Sequence, residues 1–344
     1  MSPAVTVIIV NFNSGDRLAR CLRHLAAQTS KNFDVIVFDN ASSDGSERAA
    51  ETDTPGGPIV RLMRSEDNIG FAAGNNRAST EASGEWLAFL NPDAYADPDW
   101  IEQLLSGAER HAGVEVFGST QLNADAPDII DGAGDVYHAF GVPYRGGFGW
   151  PAEKLPGGDR ECFAPCAAAA LFRRSTFEAL GGFEETFFCY GEDVDLGFRH
   201  RLAGGRAVQL RGAVVLHEGS GITGRHSDFT IYHGHRNRLW TYYRNMPTPL
   251  LIATAPFHVL VNIYLFFRLA LAGGARAYLR GVRDALKGLA GQNAGRRRIQ
   301  ETRQASLSAL ASALCWSPIK VARRAPDLRP IRSPASVAAD GETA

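Results

Sequence analysis

The chain has 344 residues, 45% hydrophobic and 21% charged, which excludes wholesale disorder and leaves room for one large α/β domain with an appendage. Its net charge of −1 hides a split, with 15 Lys and Arg against 5 Asp and Glu from residue 241 onward and 21 against 32 before it. An acidic body with a basic C-terminal part suits a domain held near lipid headgroups or nucleic acid.

In chain order, residues 5–12 are an apolar Val- and Ile-rich run, the pattern of a strand buried on both faces. Ser14 is placed to cap a helix in which Leu18, Cys21, Leu22 and Leu25 recur at helical spacing. FDVIVFDN (33–40) and IVRLM (59–63) read as the next strands, followed by a small-residue helix over 71–82 and the strand EWLAFL (85–90). Pro98 suits the start of a helix carrying Trp100, Ile101, Leu104 and Leu105, and VEVFGS (114–119) is another strand. Strands alternating with helices predict a largely parallel sheet.

The segment 141–160 is rich in Gly and Pro, without a period, and reads as a long loop of the kind that often carries function. AAAALFRR (167–174) is strand-like. Ser175 and Glu178 offer a capping box, with Gly181-Gly182 ending a short helix. RAVQL (206–210) and AVVLHEGS (213–220) predict two further strands.

The C-terminal part differs in character. Residues 249–267 are almost wholly apolar, yet contain Pro256, His258 and Asn262. The run is just long enough to span a bilayer, and its polar interruptions equally fit an interfacial helix or one packed on the main domain. Arg276, Arg280, Arg283, Lys287 and Arg296-Arg297-Arg298 then give a basic amphipathic stretch. An apolar run beside a basic one points to an anionic membrane surface rather than nucleic acid. Residues 326–344 read as a disordered tail. Cys21, Cys162, Cys166, Cys189 and Cys315 contain one close pair and no zinc set, so a reduced, cytosolic setting is expected. No signal peptide is expected, because no basic n-region precedes the first strand.

In an open α/β sheet ligands bind beyond the carboxyl ends of the strands. Asn11 and Asn13 end the first strand, Asp39 and Asn40 the second; Asn91 and Asp93 follow EWLAFL, and His217 ends AVVLH. Singly, each is an ordinary turn former. Together on one edge they suggest a site. Asp39 could accept hydrogen bonds from a nucleobase or ribose. Asp93 is a hard oxygen ligand for Mg2+ or Mn2+ bridging a diphosphate, and His217 beside it tilts the choice slightly toward Mn2+.

The motifs VIIVNFNSGDRLARCLRHL, VIVFDNASSDGS, NIGFAAGNN, FLNPDA, LFRRSTFEALGGFEETFFCYGEDVDLGFRHRLAGGR and LHEGSG, in this order, resemble the inverting family 2 glycosyltransferases of GT-A fold. The likeness runs over about residues 5–245 and is nearest in flavour to bacterial rhamnosyltransferase-like members. It implies a Rossmann-like, mostly parallel sheet flanked by helices over 1–245, leaving 246–325 as a helical membrane-associating region. It also implies a dTDP- or UDP-sugar donor, a lipid-linked or glycan acceptor, and work at the cytoplasmic face of the cell membrane. Residue by residue, Asp39 with Asn11 and Asn40 matches the nucleotide site, while Asn68, Gly70 and Asn75 match a segment lining the donor pocket. Asp93 matches the last acid of a D-x-D metal motif whose first position here is Asn91, a neutral ligand. Asp193 matches the general base, and His217 a metal-ligating histidine of some members.

An inverting transfer needs one base near the acceptor hydroxyl and positive charge on the departing diphosphate. One carboxylate of GEDVDL suffices as base, so Glu192 is read as an acceptor contact and Asp195 as a first-turn acid paired with Arg199. Two other readings fare worse. A nucleotidyltransferase needs a Gly-rich loop with a basic residue after the first strand, and NFNSGDR is a poor one. A non-catalytic binding module predicts loss of Asp93 or Asp193, and both are present.

Overall fold

The computed structural model describes residues 3–52, 57–219 and 227–331. The first half runs β1 (Val5–Asn11), α1 (Arg17–Ala26), β2 (Phe33–Asp39), β3 (Val60–Arg64), α2 (Gly70–Thr80), β4 (Trp86–Leu90), β5 (Ala94–Ala96) and α3 (Trp100–Arg110). There follow β6 (Val116–Asn123), β7 (Ile130–Gly132), β8 (Asp135–His138), β9 (Val142–Arg145), β10 (Arg160–Cys162), β11 (Ala169–Arg173), α4 (Arg174–Ala179), α5 (Glu192–Leu202) and β12 (Ala207–His217). Among the described residues five helices follow: α6 (Asp228–Asn245), α7 (Thr248–Leu271), α8 (Ala275–Glu301), α9 (Leu307–Ala313) and α10 (Pro318–Arg323).

One sheet runs β10-β12-β6-β11-β4-β1-β2-β3, with β5 attached to β12 and β7 to β6. The strands β1 to β4 pair in parallel, as the strand–helix alternation predicts, and β12 is parallel to β6. Between them β11 runs antiparallel to both neighbours, joining the two halves. Successive β1 residues feed opposite layers: Val5, Val7 and Ile9 pack into one core, Ile8 and Val10 into the other. Burial on both faces is why this strand reads as an unbroken apolar run.

Several local expectations change. The two strands expected over 206–210 and 213–220 are one, β12, with a register shift between Leu210 and Val214 where extra residues bulge out. The supposed loop 141–160 contains β9, hairpinned to β8, and reaches the edge strand β10. Strands of three or four residues carry too few positions to display a period. Ser14 does not cap α1; its Oγ donates to Asn11 Oδ1 at 2.5 Å. Ser175 lies inside α4, so no capping box forms there, while Gly181 and Gly182 do end it with positive φ. Of the expected tail, Arg329 exchanges backbone hydrogen bonds with Glu161 of β10 at 2.8 and 2.9 Å. Residues 332–344 lie outside the described residues, as do Ser220 and Gly221 of LHEGSG.

Candidate active site

Parallel register sets Asn11 directly opposite Asp39 at the carboxyl edge of the sheet. The Asn11 amide donates to Asp39 Oδ1 at 2.9 Å, Ser42 Oγ at 3.1 Å and Ser46 Oγ at 2.9 Å. Asp39 Oδ2 accepts from the Ser42 amide at 3.1 Å. Asn11 thus braces Asp39 and the turn after β2. Asn40 links this turn to the next, accepting from Ile69 N at 2.8 Å and donating to Gly70 O at 3.1 Å. Asn68 Oδ1 accepts from Gly70 N at 3.0 Å. Asn75 turns back on its own helix, donating to Phe71 O at 2.9 Å. Gly70 has φ +88°, and a Cβ there would meet the Phe188 ring and carbonyl at 2.6 Å.

The second group forms where β5 turns back along β12. Their antiparallel register sets His217 opposite Ala94, so His217 Nε2 comes 3.3 Å from Asp93 Oδ1. Asp131, on β7, accepts from His217 Nδ1 at 2.7 Å. Burial opposes a charge on His217, but the hydrogen bond to Asp131 and the nearby Asp93 carboxylate outweigh it and raise its pKa. Burial likewise opposes the Asp93 charge, and the His217 interaction holds that carboxyl below its ordinary value.

The residues fit a hard divalent cation at this place. With Nδ1 engaged by a carboxylate, the histidine presents Nε2 as the ligating nitrogen, an arrangement typical of metal-bound histidines. Nε2 is buried and lacks a well-formed hydrogen bond, as is Asn91 Oδ1 on the same turn. Asp93, His217 and Asn91 are therefore the residues able to hold the ion. A different set, Asp135, Cys166 and Asp193, also brings donor atoms within 4.8 Å of one another. It does not suit Mg2+ or Mn2+: burial pushes the Cys166 thiol up to about 12, and a soft sulfur is a poor partner for a hard cation.

Asp193 sits in the first turn of α5, whose N-cap Gly191 has φ +86°. Tyr190 and Phe188 just before it also have positive φ, 71° and 65°, an unusual backbone for aromatic residues. Asn237 of α6 holds this turn, donating to Phe187 O at 2.9 Å, Cys189 O at 2.9 Å and Tyr190 O at 2.7 Å. The Asp193 carboxylate is half-buried and accepts from Val194 N at 2.8 Å and Ala167 N at 3.2 Å. Burial raises its pKa despite those bonds. Burial also raises that of Asp135, reinforced by the neighbouring Asp193 charge. Arg145, from β9, hydrogen-bonds Asp131 and interacts electrostatically with both Asp135 and Asp193. One guanidinium therefore bonds the carboxylate that supports His217 and also acts electrostatically on Asp193.

The other two acids of GEDVDL diverge. Glu192 is buried, its Oε2 has no partner, and burial with the adjacent Asp193 drives its pKa well up. Asp195 is fully buried, accepting from Arg199 Nε at 2.7 Å and Asn245 Nδ2 at 2.7 Å. The i,i+4 pair read from the sequence is present, and it also ties α5 to α6.

Sequence reasoning missed Asp131, Asp135, Arg145 and Asn237. The first three belong to short strands without periodicity, and an Asp beside Gly in such a stretch reads as a turn former.

A family model described as glycosyl transferase family 2 matches residues 6–181. The chain is 32% identical over 249 residues to an N-acetylglucosaminyl-diphospho-decaprenol L-rhamnosyltransferase of Mycobacterium tuberculosis, covering 65% of this chain and 79% of that one. It superposes on a Pyrobaculum calidifontis mannosyltransferase, solved with GDP-Man and Mn2+, with TM-score 0.52 and 19% identity over 91% of this chain and 87% of that one. For GalNAc-T7, solved with UDP, GalNAc and Mn2+, the TM-score is 0.57 at 15% identity, over 71% of this chain and 48% of that one. At these identities the two structures share the fold.

Proposed function

Since the chain belongs to glycosyl transferase family 2 and is a glycosyltransferase, we propose that it inverts the anomeric carbon of a dTDP- or UDP-sugar, such as a rhamnosyl donor, in one displacement. The acceptor is a hydroxyl of a lipid-linked or polysaccharide glycan, in keeping with the lipid diphosphate in the mycobacterial relative's name. Residues 1–245 form the catalytic unit, and 246–325 hold it at the cytoplasmic face of the membrane.

The observation that carries the reading is Asp193: a half-buried carboxylate of raised pKa, acted on by the same Arg145 that bonds Asp131, the partner of His217. Asp193 takes the acceptor hydroxyl proton as that oxygen attacks the anomeric carbon. The bond from that carbon to the diphosphate breaks on the opposite face, and its electron pair leaves with the diphosphate. Asp39, braced by Asn11, binds the nucleoside; Asn40, Asn68, Gly70 and Asn75 shape the donor pocket, and Glu192 faces the acceptor. Asp93 and His217 would hold a divalent cation, which would supply positive charge to the leaving group. Arg145 partly offsets the repulsion between Asp193 and Asp135.

The test is transfer from a panel of nucleotide sugars with Mn2+ or Mg2+, with the product anomer read by NMR. Asp193→Asn is expected to lose about 10²–10⁴ in turnover while binding donor normally. Turnover within about tenfold of the parent rules Asp193 out as base, and a retained anomer rules out the inverting mechanism.

A further inference from the structure

α7 is long and apolar enough to cross a membrane, and little of it is buried. Thr254, His258 and Asn262 of this helix nevertheless face the protein, whereas Tyr264 and Arg268 are exposed. Thr254 Oγ1 lies 2.7 Å from the Tyr242 hydroxyl. His258 stacks on Tyr242 with ring centroids 3.9 Å apart, and its Nδ1 is 2.8 Å from Phe140 O. Asn262 Oδ1 accepts from Arg238 at 2.5 Å, and Asn262 O from the Tyr278 hydroxyl at 2.8 Å. One turn further on, Leu265 and Leu269 pack against Ile231, Ala277 and Tyr278. From Thr254 to Leu269 one stripe of the helix is thus bonded or packed against α6, the Phe140 segment and α8.

The opposite stripe is bare. Ile252, Leu260, Ile263, Phe267 and Leu271 are exposed at helical spacing, Leu260 by 61% and Leu271 by 92%. Past the following turn, α8 exposes Arg276, Leu279, Arg280, Arg283, Leu286 and Lys287, again at helical spacing.

We infer that α7 lies in the plane of an anionic bilayer, its bare stripe in the lipid and its polar stripe fixed to the catalytic body, without crossing the membrane. Crossing would strip α7 from the body and leave His258, Asn262 and their partner Arg238 in hydrocarbon or unpaired. A second copy of the chain is a poorer occupant, because two-fold pairing brings like-charged α8 faces together. Lipid headgroups of opposite charge complement them. The inference deepens the membrane reading above and fixes which side of the body faces the acceptor's lipid.

Flotation with phosphatidylglycerol-containing vesicles tests it. The parent protein is expected to float with them and not with phosphatidylcholine alone. Leu260→Ser with Phe267→Ser is expected to weaken binding about tenfold or more, and each of Arg276→Gln and Lys287→Gln about fivefold. All four target residues are exposed, and an unchanged melting temperature confirms folding. Binding that ignores these changes, or dimerisation abolished by them in lipid-free solution, overturns the inference. Depth is read by brominated-lipid quenching of Ile252→Trp, Leu260→Trp and Leu271→Trp against the parent. Equal shallow depths support the in-plane helix; a deep position 260 between shallow ends overturns it. Asp193→Asn is expected to bind vesicles like the parent, which separates failure here from failure of the catalytic reading.

Discussion

Asp131 Oδ2 lies 2.7 Å from Nδ1 of His217, fixing the ring so that Nε2 faces Asp93. Such a partner sets the tautomer and basicity of a ligating histidine, and its loss typically costs 10–100-fold in metal affinity. Asp131→Asn is therefore expected to weaken Mn2+ binding by about 10–100-fold, measured by calorimetry in the presence of a nucleoside diphosphate. Unchanged affinity would remove His217 from the metal site.

Asp195 is the counter-charge of Arg199 and lies 3.5 Å from Arg244. Arg199 also donates to Leu180 O and Gly182 O, so this pair joins α5, α6 and the turn after α4. Replacing Asp195 with Asn leaves the buried Arg199 guanidinium without its anion, while Arg244 keeps Glu184 at 2.7 Å, at an expected cost of about 3–5 kcal/mol. Urea unfolding measures it. A loss of activity without a loss of stability would point instead to a role in transfer.

Gly70 occupies a backbone conformation that L-residues rarely adopt, under the Phe188 ring. Gly70→Ala is expected to cost about 1–3 kcal/mol and to displace Phe188, raising the donor KM. A stable variant with the parent's KM contradicts this.

His200 is buried, its Nδ1 unpartnered, and burial with Arg201 nearby lowers its pKa from 6.5 to about 3. The unfolded chain therefore takes up a proton near pH 6.5 that the folded protein refuses. The stability it contributes is complete above pH 6.5 and drains as pH falls toward 3. His200→Leu is expected to flatten this acid limb by up to about 1.4 kcal/mol per pH unit, read from urea midpoints between pH 7 and 4. An unaltered slope would place the ring in a solvated, titrating state.

The edge on which Asn11, Asp39, Asn91, Asp93 and His217 gather was legible because each ends a strand whose apolar pattern is local. Their contacts were less so. That His217 meets Asp93 depends on β5 folding back along β12, and nothing in a three-residue strand announces its partner. Asp131, Asp135 and Arg145 come from strands too short for a period, and Asn237 from a helix of mixed burial. The three acids of GEDVDL look alike as letters, and their surroundings make them unlike: one half-buried on backbone amides, one buried without a partner, one locked to Arg199.

By itself the sequence determined the alternation of β1 to β4 with α1 to α3, the sheet edge that carries the polar residues, and the apolar and basic character of the C-terminal helices. These follow from periodicity and residue type, which act over a few neighbouring positions. The tertiary structure alone decided which carboxylate supports His217, which cation acts on both Asp131 and Asp193, and which stripe of α7 is bonded to the body. Each of those depends on side chains from distant segments arriving within a few ångströms, and only packing brings them there.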